Sequence, residues 1–432
     1  MTPRYEAPSR AIAGTDADLL DQLRYADGRP YGFYKNALGA WDYGDFTLAI
    51  DHVQADPYAP PSSLRAWSTP EAMGLPEAAL ASSDARLAAA DFIARSFDEA
   101  IRARDTRDVS IARAGALILQ RSYATVLPDR VEVRFQVKLP ARGRTILGKS
   151  AARLFDVDVP NIVMDCFDFV SEDPDTTRKR SRLLGHVAAY EDYRALQGIL
   201  EERGWVSFVA DDALLARRSG VSEMPLTGDG VVAFGAPESL RATVTLPHAG
   251  EVSGMAIPPG LTLIVGGGYH GKSTLLETIA QGVYAHIPGD GRELVATDPT
   301  ATKVRAADGR AVTGVDISPF ITHLPGGADT TSFSTENASG STSQAASIIE
   351  SLELGARTLL IDEDTSATNL LIRDTRMRDL VAAEKEPITP LVDRVTSLTE
   401  AGVSLIMVVG GSGAFLDAAD RVLMMDNYRC LD

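Results

Sequence analysis

Cysteine occurs only twice in the 432 residues, as Cys166 and Cys430, too few for a disulfide framework or a cysteine-ligated metal. A reducing compartment is the expectation. Histidine is scarce as well: there are six, and His52 and His186 have no partner at metal-ligand spacing, which leaves them structural roles. No apolar run approaches membrane-spanning length, and the opening MTPRYEAPSR lacks the apolar core of a secretory signal. The expectation is a cytoplasmic protein with no membrane segment. Positive charge is deficient, with 42 Lys and Arg against 59 Asp and Glu, a net charge of −17 that opposes general attraction to nucleic acid or anionic lipid. Internal repeats and low-complexity tracts are missing too.

What remains is an ordinary globular composition, 45% hydrophobic and 23% charged, in a chain long enough for two or three domains. Residues 14–25 (GTDADLLDQLRY) suit a short helix, and Phe46, Leu48 and Ile50 alternate as a strand. Residues 76–104 read as a long helix with proline near its first turn and an Ala/Leu/Phe/Ile stripe. Val131, Val133, Phe135, Val137 and Leu139 alternate with polar residues, predicting a half-buried strand with a mostly basic outer face. Between Arg130 and Arg153 there are seven cations (Arg130, Arg134, Lys138, Arg142, Arg144, Lys149, Arg153) and one anion, Glu132. That island is either a solvated strand face and loop or a groove for a phosphate backbone, with Arg134, Lys138, Arg142, Arg144 and Lys149 as the candidate contacts. A helix over 183–203 is expected next, then a strand (WVSFVAD) and a short helix (DDALLARR). Turn residues near 222–230 then mark a boundary. We expect an α/β or α+β N-terminal domain over 1–225 and a second domain over 226–432.

The second domain is organised around LTLIVGGGYHGKSTLL, residues 261–276. Leu261, Leu263 and Val265 alternate with Thr262 and Ile264 in a run that suits a buried strand, and Gly266 ends it. Gly266, four residues, Gly271, Lys272 and Ser273 then form the spacing of a phosphate-binding loop followed by a helix. Glycines let successive N–H groups wrap a phosphate closely, and the helix start offers uncompensated donors to the same anion. Gly266, Gly267, Gly268, Tyr269, His270, Gly271, Lys272, Ser273 and Thr274 are the expected ATP-binding residues here. Lys272 adds charge to the β- and γ-phosphates, and the Ser273 hydroxyl is a magnesium ligand. His270 reads either as a catalytic group or as a loop side chain turned away from phosphate. Phe234 and His248 are candidates to stack on adenine.

A second strand, Thr358 to Ile361, runs into Asp362, Glu363 and Asp364. Clustered carboxylates at a strand end are costly without a cation, so Asp362 is placed to hold magnesium and Glu363 to deprotonate the attacking water.

In order, the phosphate loop, Ser339-Gly340, the acidic strand end and Ser366-Ala367-Thr368-Asn369 resemble the Walker A, signature, Walker B and D-loop segments of ABC-type ATPases. More narrowly, GGGYHGKSTLLETIA, ISPFI, ASGSTSQAASIIE, LLIDEDTSATN and KEPITP resemble the predicted ATPases of the ABC class. The resemblance covers most of the chain, including LRYADGRPYGFYKNALGAW and DHVQADPYAPPSSLR. It implies an ABC-type P-loop domain with a RecA-like core and two ATP molecules in a head-to-tail homodimer. Ser339, Gly340 and Ser341 would meet the γ-phosphate of the partner subunit. Several departures accompany it. No histidine follows His323, so the switch-histidine role is vacant or passes to Gly410, Gly411 or Ser412. No glutamine marks the Q-loop, for which Asp316 or Ser318 could substitute, and Asp364 stands where proline is usual. The interval from Lys272 to Ser339 is short for a transporter ATPase. The expected function is MgATP hydrolysis to ADP and phosphate, with Lys272, Asp362 and Glu363 as the catalytic set, coupled to RNA or DNA through the basic island. The alternative is a slow nucleotide-dependent switch acting on a protein partner.

Overall fold

The computed structural model describes residues 12–324, 327–373, 386–411 and 413–432. Ser412, a switch candidate, and Lys385 of KEPITP lie outside the described residues. The chain divides into two compact units, Met1–Tyr190 and Glu191–Asp432.

The first unit is built on a mixed seven-stranded sheet. Its strands are β1 (Ile12–Thr15), β2 (Gly39–Asp42), β3 (Thr47–His52), β4 (Ser62–Ser68), β5 (Val109–Ser110), β6 (Ala124–Val126) and β7 (Val131–Val137). The order runs β1-β2-β3-β4-β7-β5, with β6 also on β7, and only β1–β2 is parallel. A small hairpin, β8 (Ala141–Arg142) and β9 (Thr145–Ile146), follows β7. Helices α1 (Asp16–Tyr25), α2 (Pro70–Met73), α3 (Ser83–Ala103), α4 (Gly148–Arg153) and α5 (Val159–Phe167) complete the unit, and α6 (Pro174–Arg203) carries the chain onward. The start of α1 is set by a capping box in which Thr15 and Asp18 exchange backbone and side-chain hydrogen bonds. The start of α3 is set by Ser82, whose Oγ accepts from Ala85 N at 2.9 Å, so this helix begins after the proline rather than at it. Its alanine- and phenylalanine-rich face packs into the core with Phe135 of β7, the rings of Phe97 and Phe135 being 4.8 Å apart.

The outer face of β7 departs from the expected solvated basic surface. Glu132 is 5% exposed and forms ion pairs with Arg65 of β4, Arg130 and Arg134. Burying one carboxylate demands compensating cations, and two of the island's seven are used in this way. Lys138, Arg142, Arg144, Lys149 and Arg153 stay exposed, and Arg142 and Arg144 flank Gly143 at the tip of the β8–β9 hairpin.

The second unit holds two larger sheets. One is antiparallel, in the order β11 (Arg241–Leu246), β12 (Gly250–Ile257), β10 (Ser207–Ala210), β14 (Val295–Thr297). The strand expected to close the N-terminal domain, β10, pairs here with β12 and β14 in the second unit. The expected DDALLARR helix is absent. Asp212 takes a φ of 65°, Leu214 N bonds to Gly291 O at 2.8 Å, and Ala213 and Leu215 are buried beside Phe234, an arrangement an α-helix would break.

The other sheet is six-stranded, in the order β15 (Thr302–Val304), β18 (Thr358–Asp362), β19 (Ser404–Val408), β13 (Leu261–Gly266), β20 (Arg421–Asp426), β21 (Arg429–Leu431). Every pair is parallel except the β20–β21 hairpin. Its central strands are buried on both faces, which explains their continuous apolar runs. One face packs with α8 (Gly340–Glu353) and the other with α7 (Lys272–Gln281). A small pair, β16 (Val312–Val315) and β17 (Phe333–Thr335), and α9 (Thr368–Leu371) lie outside this sheet. Parallel strands joined through helices bring the carboxyl ends of β13, β18 and β19 to one edge, where such sheets carry their ligands.

Candidate functional site

Three loops meet at that edge. The first follows β13. Gly266 has a φ of 137°, and a Cβ there would stand 2.3 Å from Met425 O, so strand and loop join only through glycine. Gly271, φ 98°, is the N-cap of α7, and a Cβ on it would meet the Tyr428 ring at 2.8 Å. Lys272 Nζ donates to Gly266 O and Gly267 O, both at 2.8 Å, which folds the ammonium back over the loop. Tyr269 has a φ of 63° and is 99% exposed.

His270 sits differently from the catalytic expectation. Its Nδ1 lies 3.1 Å from Asp426 Oδ1 and accepts from Asn427 N at 3.2 Å, while its carbonyl accepts from Tyr428 N at 3.0 Å. The turn of the β20–β21 hairpin, Asn427 and Tyr428 at positive φ, therefore braces the loop through this side chain. His270 is a structural anchor.

The second loop follows β18. Asp362 is buried and its Oδ1 accepts from Asp364 N at 3.1 Å. Its main-chain carbonyl accepts from Ser366 Oγ at 2.8 Å, which bends the chain sharply after the strand. The third loop follows β19. Glu363 Oε2 accepts from Gly410 N at 2.6 Å and from Gly411 N at 3.1 Å. An ideal Cβ on Gly410 would lie 4.0 Å from both Glu363 Oε2 and Lys272 Cε. The candidate base, the P-loop lysine and the glycine loop thus converge on one point. Backbone N–H groups hold Glu363 where the switch histidine was sought.

Ser273, Thr274, Asp362, Asp364 and Thr365 line a cleft of about 770 Å3 with Glu277, Lys303 and Arg292, and its far wall is Leu215 to Glu223. The base of that wall is pinned: Arg217 bonds Asp290 Oδ2 at 2.7 Å, and Arg292 donates to Leu215 O. Burial lowers the pKa of the Arg292 guanidinium to about 10, still charged at neutral pH. For Glu277 burial acts upward, but the Lys303 ammonium at 2.6 Å outweighs it and leaves the carboxyl below its ordinary range.

The signature residues are elsewhere. Ser339 caps α8, its Oγ accepting from Thr342 N at 3.4 Å, and Gly340 packs near Asp308, Ala306 and Ala367. Ser341 Oγ accepts from Asn369 Nδ2 at 3.2 Å. Within one chain these three residues touch the D-loop side, and no described contact joins them to the P-loop. Sequence reasoning missed the residue that fastens this end: buried Gln344 donates to Ser366 Oγ at 3.0 Å and accepts from Ala367 N at 2.8 Å. A polar residue inside the apolar face of a predicted helix was the available signal.

Of the adenine candidates, buried Phe234 lines a pocket of about 100 Å3 with Gly271, Thr274, Met425 and Tyr428, against the P-loop. His248 is held by Glu191, 2.7 Å from its Nε2, and is not among the residues lining that pocket. Asp316 and Ser318 follow β16, outside the six-stranded sheet, where Asp316 Oδ1 accepts from Ser318 N at 3.0 Å. Among the described residues no group of three or more His, Cys, Asp or Glu gathers as a metal site. No described helix is long and apolar enough to cross a membrane.

One curated relative, an uncharacterised protein of Methanocaldococcus jannaschii, is 29% identical over 242 residues, 54% of this chain and 53% of the relative. The chain thus spans about half the length of the curated relative it matches. Among solved structures, an ATP-binding cassette of an ABC transporter in its ADP conformation aligns at 13% identity and TM-score 0.30, over 52% of this chain and 89% of that one. CbiO1 from Clostridium perfringens, part of an ABC transporter complex, aligns at 14% and 0.31, over 52% and 87%. Residues 16–169 match the N-terminal domain of ATPases of the ABC class. Residues 179–432, more than half of the chain, match the P-loop domain of the ABC ATPases, and the protein belongs to the ABC class of ATPases.

Proposed function

We propose that the protein binds MgATP at a head-to-tail homodimer interface and hydrolyses it to ADP and phosphate. The observation that carries this reading is the convergence of Glu363, fixed by Gly410 N and Gly411 N, with Lys272 at the mouth of the P-loop. Phosphate oxygens would draw the Lys272 ammonium from the two carbonyls it now contacts, and the loop N–H groups would wrap the β-phosphate. Ser273 and Asp362 suit magnesium, a hard cation that takes one hydroxyl and one carboxylate and fills its shell with water and phosphate oxygens. When bound, the ion would neutralise charge on the transferred phosphoryl group. Glu363 takes the proton of the attacking water as its oxygen bonds to the γ-phosphorus and the bond to ADP breaks. Adenine is assigned to the pocket of Phe234, Met425 and Tyr428.

Ser339, Gly340 and Ser341 make no described contact with their own P-loop, which supports their use by a second copy. The start of α8 would point its positive end at the partner's γ-phosphate. The division near 222–230 expected from the turns, with domains 1–225 and 226–432, stays a functional proposal: residues of the 215–223 stretch line the nucleotide cleft whichever domain they are counted with.

We assign nucleic-acid binding to the hairpin cations. Arg142 and Arg144 are exposed, the Arg144 carbonyl accepts from Tyr31 N at 2.9 Å, and nearby Arg29 stacks 4.1 Å from the Tyr25 ring and 4.4 Å from that of Phe33. Cations beside the exposed Tyr25 ring suit single-stranded RNA or DNA. Arg134 is already spent on Glu132, so Lys138, Arg142, Arg144 and Lys149 are the contacts to test. The same neutralisation, with the net charge of −17, favours the second reading, a slow nucleotide-dependent switch on a protein partner.

Steady-state hydrolysis with and without mixed RNA and DNA oligonucleotides tests the choice. Stimulation that fades in high salt and in Arg142→Glu/Arg144→Glu supports coupling to nucleic acid. A rate indifferent to both supports the switch.

A further inference from the structure

Three consecutive residues, Asp290, Gly291 and Arg292, clasp the stretch that walls the nucleotide cleft. Leu214 N donates to Gly291 O at 2.8 Å. The Arg217 guanidinium donates to Asp290 twice, from Nη1 to the carbonyl at 2.8 Å and from Nη2 to Oδ2 at 2.7 Å. Arg292 Nη2 donates in the other direction, to Leu215 O. Gly291 takes a φ of 80°, and a Cβ on it would stand 2.6 Å from Leu214 Cβ, so turn and wall approach this closely only through glycine.

The clasp is buried and is itself held. Asp290 is 3% exposed and Arg292 2%, and the ring of buried His286 places Nδ1 2.7 Å from Asp290 Oδ2. Burial pushes the Asp290 carboxyl up, but His286 and Arg217 outweigh it and leave it below its ordinary range, charged at neutral pH. Arg292 Nη1 donates to Oε1 of Gln281 at 2.8 Å, the last residue of the helix that starts at the P-loop. A buried ion pair adds little stability over apolar side chains of the same volume, whereas its directed, charge-assisted bonds fix where the joined segments lie. The segment fixed here serves the site twice. Leu215 and Ala216 line the Phe234 pocket across from Gly271 and Tyr428, and Leu215 and Arg217 line the cleft that contains Ser273 and Asp362. Both terminal nitrogens of Arg217 are turned to Asp290, so this side chain acts on a nucleotide through the wall rather than by contact.

We propose that Arg217 and Gly291 are positioning residues for nucleotide binding: through the clasp they hold the Leu215–Ala216 wall against the base, and so set nucleotide affinity without touching the reacting phosphate. This rests on the ATPase reading above. The test pairs steady-state MgATP hydrolysis with displacement of a fluorescent ADP analogue by MgATP and by MgADP. It is run on wild-type protein, Arg217→Met, Arg217→Lys and Gly291→Ala, with melting curves to confirm folding. In Arg217→Met and Gly291→Ala, KM should rise fivefold or more with kcat within twofold of wild type, the signature of lost uniform binding. Both nucleotides should weaken by the same factor, and Arg217→Lys should recover part of the loss. If Arg217→Met does not fold, Gly291→Ala, which leaves every charge in place, carries the test. An unchanged KM in the folded variants, a fall in kcat alone, or a loss confined to MgATP overturns this proposal and leaves the ATPase reading standing. Wild-type protein that neither binds nor hydrolyses nucleotide overturns the ATPase reading and this one with it.

Discussion

Glu363, the proposed base, is held by two backbone N–H groups of glycines. A histidine switch is absent, and Gly410 and Gly411 donate instead to the carboxylate at 2.6 and 3.1 Å. A Cβ at 410 would stand 4.0 Å from Glu363 Oε2 and from Lys272 Cε, within ordinary contact distance. The carboxylate keeps its orientation whether or not it carries charge, because amide donors serve glutamate and glutamine oxygens alike. Glu363→Gln should therefore keep the site's shape, lose about two to four orders of magnitude in turnover, and hold ATP unhydrolysed. Light scattering with MgATP should show the variant as a stable dimer. A monomer with ATP bound would sink the head-to-tail reading.

At the scale of the element, the P-loop is a strand-to-helix turn braced from outside its own sequence. Met425 O lies against Gly266, Tyr428 against Gly271, and Asp426 with Asn427 N against His270, all from one hairpin. Gly266→Ala adds a methyl group to a backbone at φ 137° with a carbonyl oxygen 2.3 Å away, so the hairpin or the loop must move. A strained φ alone costs roughly 1–3 kcal/mol. The melting temperature should fall and MgATP affinity should be lost together. A variant with wild-type melting and binding would show that the hairpin is not a brace.

At the scale of the whole first unit, a single buried carboxylate ties distant segments together. Asp91 of α3 is fully buried; its Oδ2 lies 2.6 Å from Arg95 Nε and 3.2 Å from His186 Nε2, and its Oδ1 2.6 Å from Arg121 Nε. Arg95 and Arg121 also bond the carbonyls of Gly115 and Leu117, which stitches that loop to the helix. Burial drives the Asp91 pKa up, but His186, Arg95 and Arg121 together outweigh it and bring it down to about 2. A carboxyl held lower in the folded state than in the unfolded chain stabilises the fold above pH ~4, and that stability is lost as pH falls toward 2. The linked contribution is about 2 kcal/mol. His186 acts in the same direction: burial lowers its pKa despite Asp91, so stability falls as pH drops below the ordinary histidine range. Asp91→Asn should lower the melting temperature at pH 7 and flatten its acid dependence, checked by melts from pH 3 to 8. Equal slopes for both proteins would count against this assignment.

The sequence by itself determined the P-loop, the acidic strand end and the buried parallel strands, because each is a local pattern in which spacing and residue type carry the physics. It also determined α1 and β3, where a capping box and a short apolar run act within a few residues. Only the tertiary structure decided the rest, since those features join residues far apart in the chain. Glu132 became a buried ion-pair centre because β4 brings Arg65 to it. Residues 211–218 do not form a helix because Gly291 and Phe234 offer partners that a helix would forgo. The DDALLARR pattern has helical spacing, but local propensity amounts to tenths of a kcal/mol per residue and buried side chains with fixed hydrogen bonds outweigh it. The ends of β13, β18 and β19 meet only because the sheet sets β13, the first of its six strands in the chain, beside β19.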